Sequence, residues 1–374
     1  MGNFQSKSKE EPLNVQYINN PLMDKGVEDC ESEKINFGNS LAQYSCIAKI
    51  GSGSFGQVYK IRNETNTKEY ALKVIELQND MKEDEEEKFY KLCFDCENNA
   101  ILTPIKTIKT PVGNIPIKVG FILELMNGDL LNLKDEILRE NLDVNKKYSI
   151  FINMCKKVLD GLIYLHNKNI FHGDLKPENI LFKYSDDPFD KYKNIIYKIS
   201  DFGLSCFIKD KPLLCQDQFA GTPAYMDPVN VVDGINLNRF EPDIYAICLT
   251  FIVFFMKLFY GDIVINEYLN INLSFATANL TTINNMYIYN NIYYETLYSK
   301  MLNEFNIYSK GYPPNIINLL NIFFNELVPF PYLNINGSYY DTKNIYLTSI
   351  LRSGQGKYRS TASELLEKVN KINV

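Results

Sequence analysis

The stretch Phe171–Phe182, FHGDLKPENILF, sets a carboxylate (Asp174), an ammonium (Lys176) and an amide (Asn179) close together. That trio suits phosphoryl transfer. The carboxylate can receive a hydroxyl proton, the cation can neutralise a phosphate, and the amide oxygen can hold a metal ion. Alone, the stretch reads equally well as a charged turn, because Lys-Pro and Glu-Asn are common loop residues. Three further pieces surround it in order. GSGSFGQVYK spans Gly51–Lys60, ALKVI spans Ala71–Ile75, and DFG spans Asp201–Gly203. Lacking Cβ, the glycines of the first piece let backbone N–H groups approach a triphosphate.

A lone GxGxxG could belong to a dinucleotide fold or a hairpin. Here a strand follows in place of a helix, then Val58, then Ala71-Leu72-Lys73. The ordered set resembles the eukaryotic protein kinase family over roughly residues 44–372. The resemblance implies an α+β, two-lobed protein kinase fold, with a small β-rich N-lobe and a larger, mainly helical C-lobe. It also implies ATP and Mg²⁺ as cofactors and protein substrates. Asp174 would orient the substrate hydroxyl and accept its proton, and Lys176 would stabilise the transferring phosphoryl. Asn179 and Asp201 would hold two Mg²⁺ ions. Lys73 would bind the α- and β-phosphates and needs a carboxylate to hold it. The acidic run Asp84–Glu87 offers one; apolar Phe89, Tyr90 and Cys93 align best with Glu86, and Glu87 is second.

The same resemblance makes Gly51, Ser52, Gly53, Ser54, Phe55 and Gly56 the lid over the nucleotide. Ile50, Val58, Ala71 and Leu181 would wall the adenine, with Leu123 behind it. Backbone groups of Glu124 and Met126 would meet the adenine edge, and Asp129 the ribose hydroxyls. His172 would pack under Phe202. GTPAYM (Gly221–Met226) and the lysine of DLKPEN resemble serine/threonine kinases. Thr222 would hydrogen-bond Asp174 and Lys176, and Asp243 would brace the catalytic loop.

Two positions depart from the family pattern. Gly173 stands where regulated kinases carry the arginine that receives an activation-loop phosphate. The loop Leu204–Ala220 holds a single hydroxyl residue, Ser205, beside DFG. Receiver and phosphate site are missing together, so activity without activation-loop phosphorylation is expected. Second, the family's APE triplet reads Asp227-Pro228-Val229. The buried arginine that its glutamate normally pairs with is here Arg359. Either Asp227 or another acid replaces that partner, or Arg359 is unusually exposed.

The elements that must position these residues are legible by pattern. Tyr44–Ile50, Gln57–Asn63 and Lys68–Ile75 are β-branched and aromatic segments separated by turns, and read as three antiparallel strands. Asp84–Cys96 has helical spacing, and Phe121–Met126 reads as a buried strand entering a hinge. Tyr148–His166 is an amphipathic helix. Ile244–Met256 is an apolar run that stops at Lys257, short for a bilayer span and suited to a buried helix.

Composition sets the bounds. The chain has 374 residues, 45% of them hydrophobic and 22% charged, with a net charge of −6. That suits one large two-lobed domain and provides no general basic field for nucleic acid. The expected division is an arm over residues 1–43, a small lobe over 44–126 and a large lobe over 127–374. Asn/Tyr-rich insertions are expected near 266–308 and 329–356. Eight scattered cysteines contain one CxxC, Cys93 and Cys96, with no metal-site partner, and a reducing cytosol is expected. Met1-Gly2-Asn3-Phe4-Gln5-Ser6 matches the N-myristoylation pattern. One acyl chain would give weak, reversible docking to a cytoplasmic membrane face. The competing function is a pseudokinase scaffold that binds nucleotide without transfer. Its expected sign, loss of Lys73, Asp174, Asn179 or Asp201, is missing here.

Overall fold

A computed structural model of the chain describes residues 30, 37–53, 56–77, 85–92, 100–110, 117–187, 189–208, 221–227, 240–260, 313–327 and 359–372. The arm before residue 30, Gly2 and Ser6 within it, Cys93 and Cys96, and loop residues 209–220 lie outside that set. So do the two expected insertions.

Alternating apolar residues build the first unit. β1 (Tyr44–Gly53), β2 (Gly56–Asn63), β3 (Glu69–Glu76), β4 (Pro104–Lys109) and β5 (Lys118–Glu124) form one antiparallel sheet, ordered β1-β2-β3-β5-β4. The first three are the expected strands. β4 is a strand the sequence does not announce: it lies at the sheet edge and buries only Ile108. Period-two alternation divides the side chains between two faces. Tyr59, Ile61, Leu72, Val74, Ile108 and Ile122 form an outer cluster, and Phe37 joins them. Ala71, Ile75, Val119, Phe121 and Leu123 face the main core. Phe37 is buried. It sits beside Gly120, where a Cβ would come within 2.9 Å of its ring. Phe37, within the expected arm, thus packs onto the sheet, because an apolar slot captures that ring.

α1 (Glu85–Leu92) follows β3. β6 (Gly128–Asp129) then leads into α2 (Leu130–Arg139). Asp129 caps α2 through a reciprocal box with Asn132. α3 (Val144–Asn167) is the expected amphipathic helix; it is capped by Asp143 and buries Phe151, Ile152, Val158, Leu159, Leu162 and Leu165. Four short strands follow: β7 (Ile170–Phe171), β8 (Ile180–Lys183), β9 (Ile196–Ile199) and β10 (Cys206–Phe207). They form a β6-β8-β9 sheet and a β10-β7 pair.

α4 (Glu241–Phe259), α5 (Pro314–Leu327) and α6 (Ala362–Asn370) are the remaining described α-helices. Every residue from Ile244 to Met256 is buried. By length and composition α4 could cross a bilayer, since it extends past both ends of its apolar run. A helix apolar on all sides also serves as the centre of a core. α2 and α5 pack against it.

A disulfide joins Cys30 to Cys46, with Cα atoms 6.1 Å apart, and Cys206 is also disulfide-bonded. Cys155 and Cys248 are buried free thiols. The scattered spacing carries no sign of these bonds, because pairing follows proximity in the fold.

Candidate active site

Cross-strand register lines up the first half of the site. Gly51 lies opposite Val58, Val58 opposite Lys73, and Lys73 opposite Phe121. Opposed residues share a face, so Lys73 projects from the row that holds the glycine-rich turn. Ile50, Val58 and Leu181 are half-buried against the core, and Ala71 is buried. Gly51 and Ser52 sit on β1, with Gly53 at its end; Ser54 and Phe55 lie outside the described residues. Gly56 opens β2 at φ +134°, where a Cβ would fall 2.2 Å from the Val74 carbonyl oxygen. Only glycine fits that turn.

Lys73 Nζ lies 2.6 Å from Glu86 Oε2 and 2.8 Å from Asp201 Oδ1. Of the two candidate acids, Glu86 thus meets the lysine, whereas Glu87 pairs with Lys91 and Lys109. Glu86 is fully buried, and the Tyr90 hydroxyl donates to its other oxygen at 3.0 Å. That hydroxyl is a contact sequence reasoning missed, although Glu86 and Tyr90 are i, i+4 on a helix and so share a face. Burial alone would depress the Lys73 ammonium. The Glu86 and Asp201 carboxylates outweigh it and raise the group above its ordinary value, so it stays charged.

The second half converges from the large lobe. Asp174 Oδ2 accepts from Lys176 at 2.8 Å, and Oδ1 accepts from the Thr222 backbone N–H at 2.7 Å. Lys176 also donates to Thr222 Oγ1 at 2.6 Å. Asn179 donates to the Asp174 carbonyl at 2.7 Å. Burial pushes the Asp174 carboxyl up, but Lys176, helped by Thr222, holds it below its usual range and ionised. His172 Nδ1 accepts from the Asp174 N–H at 3.2 Å, so Nε2 carries the proton and donates to the Ser200 carbonyl at 3.1 Å. Its ring meets Phe202 edge-on at 5.2 Å, and Phe89 stacks on Phe202 at 3.9 Å. These contacts leave His172 a packing and orienting role.

Asp243, in the first turn of α4, accepts from the backbone N–H of His172 at 2.9 Å and of Gly173 at 3.1 Å. His166 Nε2 lies 3.0 Å from the same carboxylate. That histidine has no sequence signal, since Asp243 is far away in the chain. Gly173 adopts φ +83°, and a Cβ there would meet the Leu204 carbonyl oxygen at 2.9 Å. Asp201 takes φ +64°, a conformation tolerated by aspartate and held here by its Lys73 contact. Ser205 is buried, and its hydroxyl donates to the His172 carbonyl at 3.0 Å.

Asp227 does replace the missing glutamate. Arg359 reaches its carboxylate at 3.1 Å from Nε and 2.9 Å from one terminal nitrogen, with both side chains wholly buried. Arg359 also lies 4.9 Å over the Tyr245 ring.

Asp201 uses Oδ1 for Lys73 and Asn179 uses Nδ2 for Asp174, which leaves each a hard oxygen suited to Mg²⁺. Among the described residues no cluster of three or more His, Cys, Asp or Glu could hold an ion unaided. The oxygen pair therefore fits an ion shared with phosphates and water.

With this geometry in place, residues 44–302 match the protein kinase domain family. The probable serine/threonine-protein kinase fhkB of Dictyostelium discoideum is 30% identical over 261 residues, which are 66% of this chain and 21% of that protein. The related fhkA is 33% identical over 54% of this chain and 32% of its own length. Myosin light chain kinase A of the same organism is 31% identical over 59% of this chain and 70% of its own. The chain therefore spans a third or less of the first two relatives.

Proposed function

The chain belongs to the protein kinase family, and from that premise we propose that it is a serine/threonine kinase active without activation-loop phosphorylation. ATP is the phosphoryl donor. Asp174 would take the proton of a substrate hydroxyl. Lys176 and Lys73 offset charge on the phosphates, and Asn179 and Asp201 are the residues that would hold Mg²⁺. The ion, when bound, neutralises phosphate charge. The cleft-facing Ile50, Val58, Ala71 and Leu181 suit an adenine ring, and Asp129 suits a ribose.

One observation carries the reading. Lys73–Glu86 and Asp174–Lys176–Thr222 are both assembled although position 173 holds glycine, which has no side chain to bind a loop phosphate. The loop's single hydroxyl residue, Ser205, is buried and already bonded. In a kinase switched by phosphorylation, an arginine at position 173 would draw the loop into place. Here Thr222 is docked on Asp174 directly.

The test uses protein made in bacteria and shown by intact mass to carry no phosphate. It should phosphorylate serine and threonine residues in a peptide library, with Asp174→Asn reduced by at least about a thousandfold. An inert wild type that gains activity only after modification of the loop would sink the proposal. Nucleotide binding with no transfer under any condition would establish the scaffold reading instead.

A further inference from the structure

Glu124 ends β5, the last strand of the small-lobe sheet to reach the hinge. The family resemblance uses only its backbone. Its side chain makes a separate arrangement. Oε1 lies 2.6 Å from Lys183 Nζ on β8, and Oε2 lies 2.9 Å from Lys198 Nζ on β9. Both lysines belong to the large lobe. Leu181 is paired opposite Lys198, and Lys183 is two residues on from Leu181. All three therefore share one face of the β6-β8-β9 sheet. Two ammonium groups on that face repel each other unless an anion stands between them. Glu124 is that anion. The lysines outweigh the burial of the carboxyl and hold it below its usual range.

A second set of bonds repeats the connection. The Asn127 N–H donates to the Phe182 carbonyl at 2.8 Å, and Asn127 Oδ1 accepts from the Tyr184 N–H at 2.9 Å. The hinge is thus fastened to β8 and β9 on both sides of Met126.

We infer that the Glu124 side chain is a positioning residue: by bridging Lys183 and Lys198 it clamps the hinge to the large-lobe sheet and fixes the nucleotide cleft. The inference rests on the nucleotide-binding reading of that cleft. Glu124→Gln keeps every backbone group that could meet adenine and removes only the clamp's charge.

The test compares wild type, Glu124→Gln, Lys198→Met and the double variant by MgADP titration. Amide hydrogen exchange of Asn127 is followed in parallel without nucleotide. Glu124→Gln should weaken MgADP about tenfold, and the double variant should lose no more than that, since coupled partners are non-additive. Asn127 should exchange at least about tenfold faster in Glu124→Gln. Unchanged affinity in Glu124→Gln, or losses that add in the double variant, would overturn the inference. A wild type that bound no MgADP, while Asn127 still lost protection in Glu124→Gln, would overturn the nucleotide reading and leave the clamp standing.

Discussion

Asp129 caps α2, and under the proposed function its carboxylate would also bind the ribose. The cap is a bond that Asp129 accepts from the Asn132 backbone N–H at 2.9 Å. Burial, opposed by that backbone bond and aided by Glu178, pushes its carboxyl from 3.8 up to about 6. The folded state therefore holds this proton longer than the unfolded chain. The group's contribution to stability is full below the unfolded value of 3.8 and is lost as pH rises through about 6. Ribose binding runs the other way, because the ionised form is the better acceptor of hydroxyl protons. KM for ATP should rise as pH falls below about 6, and Asp129→Asn should flatten that dependence. A wild-type KM constant across this range would refute the assignment. Single residues also explain what Gly173 permits. Its positive φ, with the Leu204 carbonyl too close for a Cβ, makes a tight turn beside Asp174 that favours glycine.

At the scale of elements, the outer face of the five-stranded sheet depends on a residue ahead of it. Phe37 fills the slot beside Gly120, and a Cβ on Gly120 would also come within 2.8 Å of Ile108. Phe37→Ala should lower stability by about 3 kcal/mol, the usual loss for a truncated buried ring. Gly120→Ala should lower it by about 1–3 kcal/mol through overpacking. Combined, the second change should cost less than it does alone, since the ring it collides with is gone. Urea unfolding of the four proteins measures this, and strict additivity would show that Phe37 and Gly120 do not share that slot. The helices follow their caps more directly. Asp129, Asp143 and Thr361 each accept a backbone N–H at the start of α2, α3 and α6, which is why those boundaries are sharp.

Across the whole molecule, one buried ion pair joins distant parts of the chain. Asp227, just beyond the catalytic-loop contact made by Thr222, meets Arg359, just before α6. Arg359 also donates to the Glu326 carbonyl at the end of α5. Asp227→Ala would strand a wholly buried guanidinium, and such losses are about 3–5 kcal/mol. Chemical denaturation should show that drop, together with reduced transfer activity, because the segment carrying Thr222 loses its anchor. A change below about 1 kcal/mol would mean that other groups hold the segment. The Lys73–Glu86–Asp201 cluster draws on both lobes, while Asp174–Lys176–Thr222 belongs to the large lobe alone, so Lys73 meets Asp201 only when the two lobes are packed together.

The candidate site was legible in the chain because its groups come in short runs: glycines on one turn, Asp174, Lys176 and Asn179 in one loop, Asp201 beside Phe202. Period-two and helical spacing likewise announced β1 to β3, β5, α3 and α4, since burial on one face or on all faces leaves a local pattern. Edge strand β4 escaped, because an edge buries too little to leave one. Helical spacing ranked Glu86 ahead of Glu87 as the partner of Lys73, and the fold bears that ranking out. The Asp227–Arg359 pair, the seat of Phe37 and the lysines around Glu124 were decided only by tertiary structure. Each depends on through-space distance between side chains far apart in sequence, and Coulomb attraction and packing act on that distance whatever the separation along the chain.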